Sequence, residues 1–235
     1  MKAPIRLAAP LAAASAVLAL TVPAASAATT TLREETATGA PYSGNWQVST
    51  VGPLEFSVDF LGSKVTGSCD DAKLQGSVVS TGAGELTAAS VGACRTSNGL
   101  SSPATDLDLG DLPEDSGDVA YDPVAGGRDG TLSINGDLRF KMEGQVLGIT
   151  ITCYYGFRTG DTDGLVFDVY NRDNPNRPLP GQDDAQGSSD NITLVRESGS
   201  SGLCPSNGTG SGAAIARGES TPGAGVFDRK LYLTS

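Results

Sequence analysis

The sequence predicts an all-β fold, an antiparallel β-sandwich with a flattened β-barrel as the alternative, stapled by two disulfides. Three observations carry this. Short runs alternate apolar with polar residues, the period of half-buried strands. Turn residues are dense, with 31 glycines and 13 prolines in 235 residues. Four cysteines, Cys69, Cys94, Cys153 and Cys204, occur in a chain that opens like a secreted one. No helix-length window shows apolar residues at three-and-four spacing between caps.

Residues 1–27 read as a Sec-type signal peptide cleaved near Ala27. Lys2 and Arg6 form its charged start, 11–22 its apolar run, and Ala25-Ser26-Ala27 its small-residue cleavage site. No later stretch approaches the ~18 consecutive apolar residues of a spanning helix, so no membrane insertion is expected after its removal. The organisation is then a flexible lead-in over 28–44, or an edge strand within it, and a single β-sandwich domain over 45–235. With Lys2 and Arg6 gone, 14 basic residues face 27 acidic ones, a net charge of −13. This disfavours nucleic acid and anionic membrane as partners, both of which need a basic surface.

Along the chain, the first clear strand is Leu54–Phe60, where Leu54, Phe56, Val58 and Phe60 alternate with Glu55, Ser57 and Asp59. Two short strands, 64–69 and 72–79, are expected around an Asp70-Asp71 turn, and a crowded small-residue strand over 86–94. A weak strand over 105–110 precedes an acidic turn at 111–117. Asn135-Gly136 is a hairpin signal, but Leu132, Ile134, Leu138, Phe140 and Met142 keep one phase through it, so one long strand is expected, turning at Gly144. The central strand is placed at 145–157, with Cys153 and Tyr155 in the apolar phase and Tyr154 in the polar one. After Leu165–Tyr170 comes a 21-residue loop, 171–191, then closing strands at 192–195, 213–217 and 226–233.

The chain contains no histidine. Ser-His-Asp and Cys-His catalysis and histidine-ligated metals are therefore excluded, and no catalytic motif is recognisable. Four cysteines allow three connectivities; sequence order favours Cys69 with Cys94 and Cys153 with Cys204. No CxxC redox or zinc spacing is present. Calcium needs several oxygen ligands from loops, and the acidic run Asp111, Glu114, Asp115 and Asp118 is the best candidate for it. Tyr154 and Tyr170 are candidates for an exposed aromatic ligand surface.

Val65-Thr66-Gly67-Ser68-Cys69 followed by Leu86-Thr87-Ala88-Ala89-Ser90-Val91-Gly92-Ala93-Cys94, the stretch 130–153, and 192–216 with Ser198-Gly199-Ser200-Ser201-Gly202-Leu203-Cys204 resemble small secreted β-rich actinomycete proteins without an assigned activity. The resemblance implies secretion and two disulfides and supplies no catalytic residue. Tyr121-Asp122-Pro123-Val124 resembles the segment after the reactive bond of actinomycete subtilisin inhibitors, which brace that loop with an adjacent cysteine. Here the nearest cysteines are Cys94 and Cys153. The expected function is a secreted, non-catalytic extracellular or cell-envelope binding module for a glycan or protein. The alternatives are a polysaccharide hydrolase working through paired carboxylates and a secreted protease inhibitor.

Overall fold

The computed structural model describes residues 29–60, 62–96, 106–108, 114–135, 138–146, 148–160 and 162–235, with no helix among them. In chain order the strands are β1 (Thr31–Glu34), β2 (Gly44–Thr50), β3 (Leu54–Phe60), β4 (Ser63–Val78), β5 (Ala83–Thr96), β6 (Asp106–Asp108), β7 (Glu114–Tyr121) and β8 (Gly130–Ile134). They continue as β9 (Arg139–Val146), β10 (Ile149–Thr159), β11 (Thr162–Asp163), β12 (Leu165–Tyr170), β13 (Ala185–Arg196), β14 (Asn207–Glu219) and β15 (Phe227–Thr234). The antiparallel sheet closes on itself through β2, β4, β5, β7, β8, β12, β13 and β14, the last pairing back to β2. The all-β fold is thus realised as an eight-stranded barrel with further strands outside the ring. Of the two expected architectures it is the barrel that forms, because every strand of the ring finds a partner on both sides and no pair of separate sheets results.

The barrel has two tiers, since short strands sit end to end between long ones. β2 and β3 both bridge β4 and β14, β2 along Lys73–Val78 and β3 along Ser63–Cys69. Likewise β12 and β10 pair with successive halves of β13. Large inward side chains meet small ones across these ladders. Trp46 lies opposite Gly76 and Gly218, Val48 opposite Ala216, Phe56 opposite Gly67 and Gly210, and Val58 opposite Gly208. A Cβ on Gly67 would sit 2.1 Å from the Phe56 ring, and one on Gly76 2.7 Å from the Trp46 indole, so these positions are glycine for want of space. Phe56 then meets Phe140 of β9 edge-on across the lumen, centroids 5.7 Å apart.

The strand expectations need five corrections. First, 64–69 and 72–79 are one strand, β4, because Asp70 and Asp71 stay in the ladder, Asp71 opposite Gly92. Second, 145–157 is not a single strand. The chain turns between Val146 and Ile149 with Gly148 at φ 79°, and Gly144 lies within the ladder opposite Ile151. Third, the acidic turn expected at 111–117 enters strand β7 at Glu114. Fourth, the 171–191 loop ends at Ala185, where β13 begins; a register shift between Ser189 and Ile192 breaks its alternation and hid the strand. Fifth, the one long strand expected through Asn135 is two, β8 ending at Ile134 and β9 beginning at Arg139, each with its own partners. Leu132, Ile134, Leu138 and Phe140 are all buried as their shared phase implies, and β8 and β9 do not pair with each other, so no hairpin forms. In the lead-in, the edge-strand alternative describes β1, whose Leu32 packs opposite Leu233 of β15 at one end of the barrel.

The 171–184 loop is held by amide side chains acting as substitute backbone. The Gln186 amide, fully buried, accepts from Leu179 N at 2.8 Å and donates to Leu179 O at 2.8 Å. Asn171 does the same to Leu233, at 2.7 and 2.9 Å. Asp184, buried, receives two parallel bonds from the Arg217 guanidinium, the strong bidentate form of this contact. The turn after β14 is organised by Glu219, whose carboxylate accepts from Gly223 N, Gly225 N and Asn45 Nδ2. Those backbone donors hold its pKa below the ordinary value.

Two outcomes follow for stability. Gln186→Ala leaves the Leu179 N–H unpaired in a part-buried site and removes one of the two bonds to its C=O, which still accepts from Gln182 N. It costs about 2 kcal/mol, a fall in Tm of roughly 4–8 °C by calorimetry. Glu219 has a folded pKa depressed below its unfolded one, so its contribution is complete above the ordinary value of about 4.3 and is lost as pH falls through the folded pKa. Glu219→Gln should lower Tm at pH 7 and flatten the acid limb of Tm against pH between 5 and 3.

Candidate functional site: a polar groove on the barrel wall

On the lower tier, the outward phase of the adjacent strands β14, β3 and β4 carries a cluster of hydroxyl side chains, with charged residues beside it. Ser57 of β3 lies between Thr209 of β14 and Thr66 of β4. One row along, Glu55 lies between Ser211 and Ser68, and Ser68 in turn faces Arg95 of β5. Directly opposed side chains stand about 5 Å apart and successive rows about 7 Å, so a grid of donors and acceptors results. These residues line a groove of about 490 Å³, with Lys64 and Thr96 also on its wall. Serine and threonine suit this place for two reasons. They fit an exposed strand face, and Ser–Thr pairs support the cross-strand ladder.

Charge in the groove is sparse. Among the described residues Glu55, exposed, is the one acid lining it, with Lys64 and Arg95 as the cations. Arg95 is ion-paired with Asp70, and Lys64 lies opposite Asp59. Such a surface can make many neutral hydrogen bonds and a few charge-assisted ones. A double-displacement hydrolase would need a second carboxylate across the groove from Glu55, and none lines it among the described residues.

The Cys69–Cys94 disulfide lies beneath this site. The two cysteines are cross-strand partners on the inner face, one residue from the Ser68–Arg95 pair on the outer face. The bond therefore clamps β4 to β5 in the register that the groove uses. The second disulfide, Cys153–Cys204, ties β10 to the connection between β13 and β14. Both pairings are the expected ones.

The other candidates fare differently. Tyr154 and Tyr170 form no common platform. Tyr154 adjoins the end of β13 near Arg196, and Tyr170 faces Gln186 at its start, a separation of about 30 Å along a strand. The Tyr154 ring is packed between the Arg139 guanidinium, 5.5 Å from its centroid, and Gly199. Tyr155 is core, its phenol pushed up to about 12 by burial. Of the calcium candidates, Asp111 lies outside the described residues, while Glu114, Asp115 and Asp118 belong to strand β7 and not to a loop. Among the described residues no three acidic or thiol groups gather as a metal site requires. Tyr121 is the last residue of β7, paired with Gly130, so the peptide bond that follows it leaves a ladder.

The groove was missed in the sequence. Its signal was present as three polar alternations, Glu55/Ser57, Thr66/Ser68 and Thr209/Ser211, but nothing local says that the third lies beside the first. No known protein family, characterised protein or solved structure matches the chain.

Replacing both Cys69 and Cys94 by alanine removes a clamp worth about 3.5 kcal/mol on the chain-entropy estimate. The double variant should unfold at correspondingly lower denaturant, and non-reducing peptide mapping of the wild type should recover Cys69 with Cys94 and Cys153 with Cys204.

Proposed function

We propose that the protein is a secreted, non-catalytic binding module of the extracellular space or cell envelope, and that its groove takes a neutral, hydroxyl-rich glycan. The observation that supports this is the grid of Ser57, Thr66, Ser68, Thr209 and Ser211 around Glu55. Hydroxyls that both donate and accept match a ligand made of the same groups, and a carboxylate can bridge two neighbouring sugar hydroxyls. The excess of acidic residues over basic ones in the chain disfavours polyanionic glycans. Two disulfides fit an oxidising compartment.

Calorimetric titration against a panel of neutral polysaccharides and their oligomers tests the reading. Binding is expected for at least one member. Glu55→Ala should weaken it by about tenfold or more, the loss of charge-assisted hydrogen bonds, with Tm unchanged. Folded protein that binds no member of the panel, or binding indifferent to both Glu55→Ala and Ser68→Ala, would sink it.

A further inference from the structure

The barrel lumen is not completely filled. Between the two tiers lies a cavity of about 100 Å³, bounded on different sides by Leu74, Leu138, Phe157, Phe167, Ile192 and Leu194. Its far wall is β14, where Gly210, Gly212 and Ala214 supply almost no side-chain volume. The small residues that admit Phe56 and Val48 to the wall thus leave the middle of the barrel short of atoms. The void is apolar. Glu55 borders it but is exposed and belongs to the outward phase of β3. Thr50 Oγ1 is engaged by Ala72 N at 3.0 Å. Water would find too few partners there, and an apolar void of about 150 Å³ is known to stay dry and admit benzene. Leu54, Leu74 and Val91 line the cavity yet are only half-buried, so its wall reaches solvent on the β4–β5 side.

We propose that the lumen is a second binding site, independent of the groove, for one small uncharged apolar molecule of about the size of a single aromatic ring. Charged amphiphiles are disfavoured, because among the described residues no cation lines the cavity and its apolar interior could not solvate a head group.

Benzene serves as the probe. It should raise the Tm of the purified protein saturably and shift the methyl resonances of Leu138, Ile192 and Leu194. Ala214→Leu fills the void and should weaken binding by about tenfold or more. Gly210→Ala is the milder variant: a Cβ there would stand 3.6 Å from Ile192, an ordinary contact, so it folds and should weaken binding by a smaller factor. Ser68→Ala, which alters the groove and lies off the cavity wall, should leave benzene binding unchanged. Three results would overturn the proposal: no saturable shift, shifts confined to surface methyls such as Val79 and Val226, or unaltered affinity in Gly210→Ala and in whichever filling variants fold.

Discussion

The inner face of β14 is the constraint on which the rest of the structure depends. From Gly208 through Gly210, Gly212, Ala214 and Ala216 to Gly218, every inward position is glycine or alanine, and the strand is paired along both edges. A strand in that position must accept Val58, Phe56, Val48 and Trp46 from one side while packing β13 on the other. A Cβ on Gly208 would come within 2.7 Å of Val58, and one on Gly218 within 2.5 Å of the Tyr42 ring. Larger residues at these two positions would displace β3 and Tyr42 and open the barrel. Closure in turn removes the sheet edges that an all-β chain must otherwise protect.

The same economy of side chains shapes both surfaces of the wall. Inside, large residues on β2 and β3 set against small ones on β4 and β14 make two packed tiers with a residual void between them. Outside, the alternate residues of those strands are free of packing duty, and serine and threonine occupy them. Cys69–Cys94 links the two faces, since a bond on the inside holds the register read on the outside. Groove and lumen are therefore products of one strand arrangement with opposite chemistries.

The upper end is stabilised by other means. Here the loop after β12 crosses the outside of β13, and buried amides take the place of ladder hydrogen bonds: Asn171 to Leu233 and Gln186 to Leu179. Asp183, held below the ordinary carboxylate pKa by Lys230 and Arg172, adds an exposed ion-pair cluster, a contribution that solvent and salt weaken. Polar residues in a segment without apolar period read in isolation as an unstructured loop. Their partners lie up to 137 residues away, so only the folded chain shows them to be structural.

The sequence by itself determined the class of the fold and the absence of histidine chemistry, and favoured the cysteine pairing that the structure shows, because these rest on period-two alternation, composition and residue order. It also placed Leu54–Phe60 and Leu165–Tyr170 at their observed bounds and carried the inward phase from Leu132 to Phe140 past Asn135-Gly136. It misplaced the turn at Val146–Ile149, where β-favouring residues continue through the reversal and local pattern marks no break. It could not see β13 through its register shift. Closure into a barrel, the adjacency of β14 to β3, and hence both the hydroxyl grid and the lumen were decided by tertiary structure alone. They depend on which strands become neighbours, and a strand's alternation states which face is buried without stating what stands beside it.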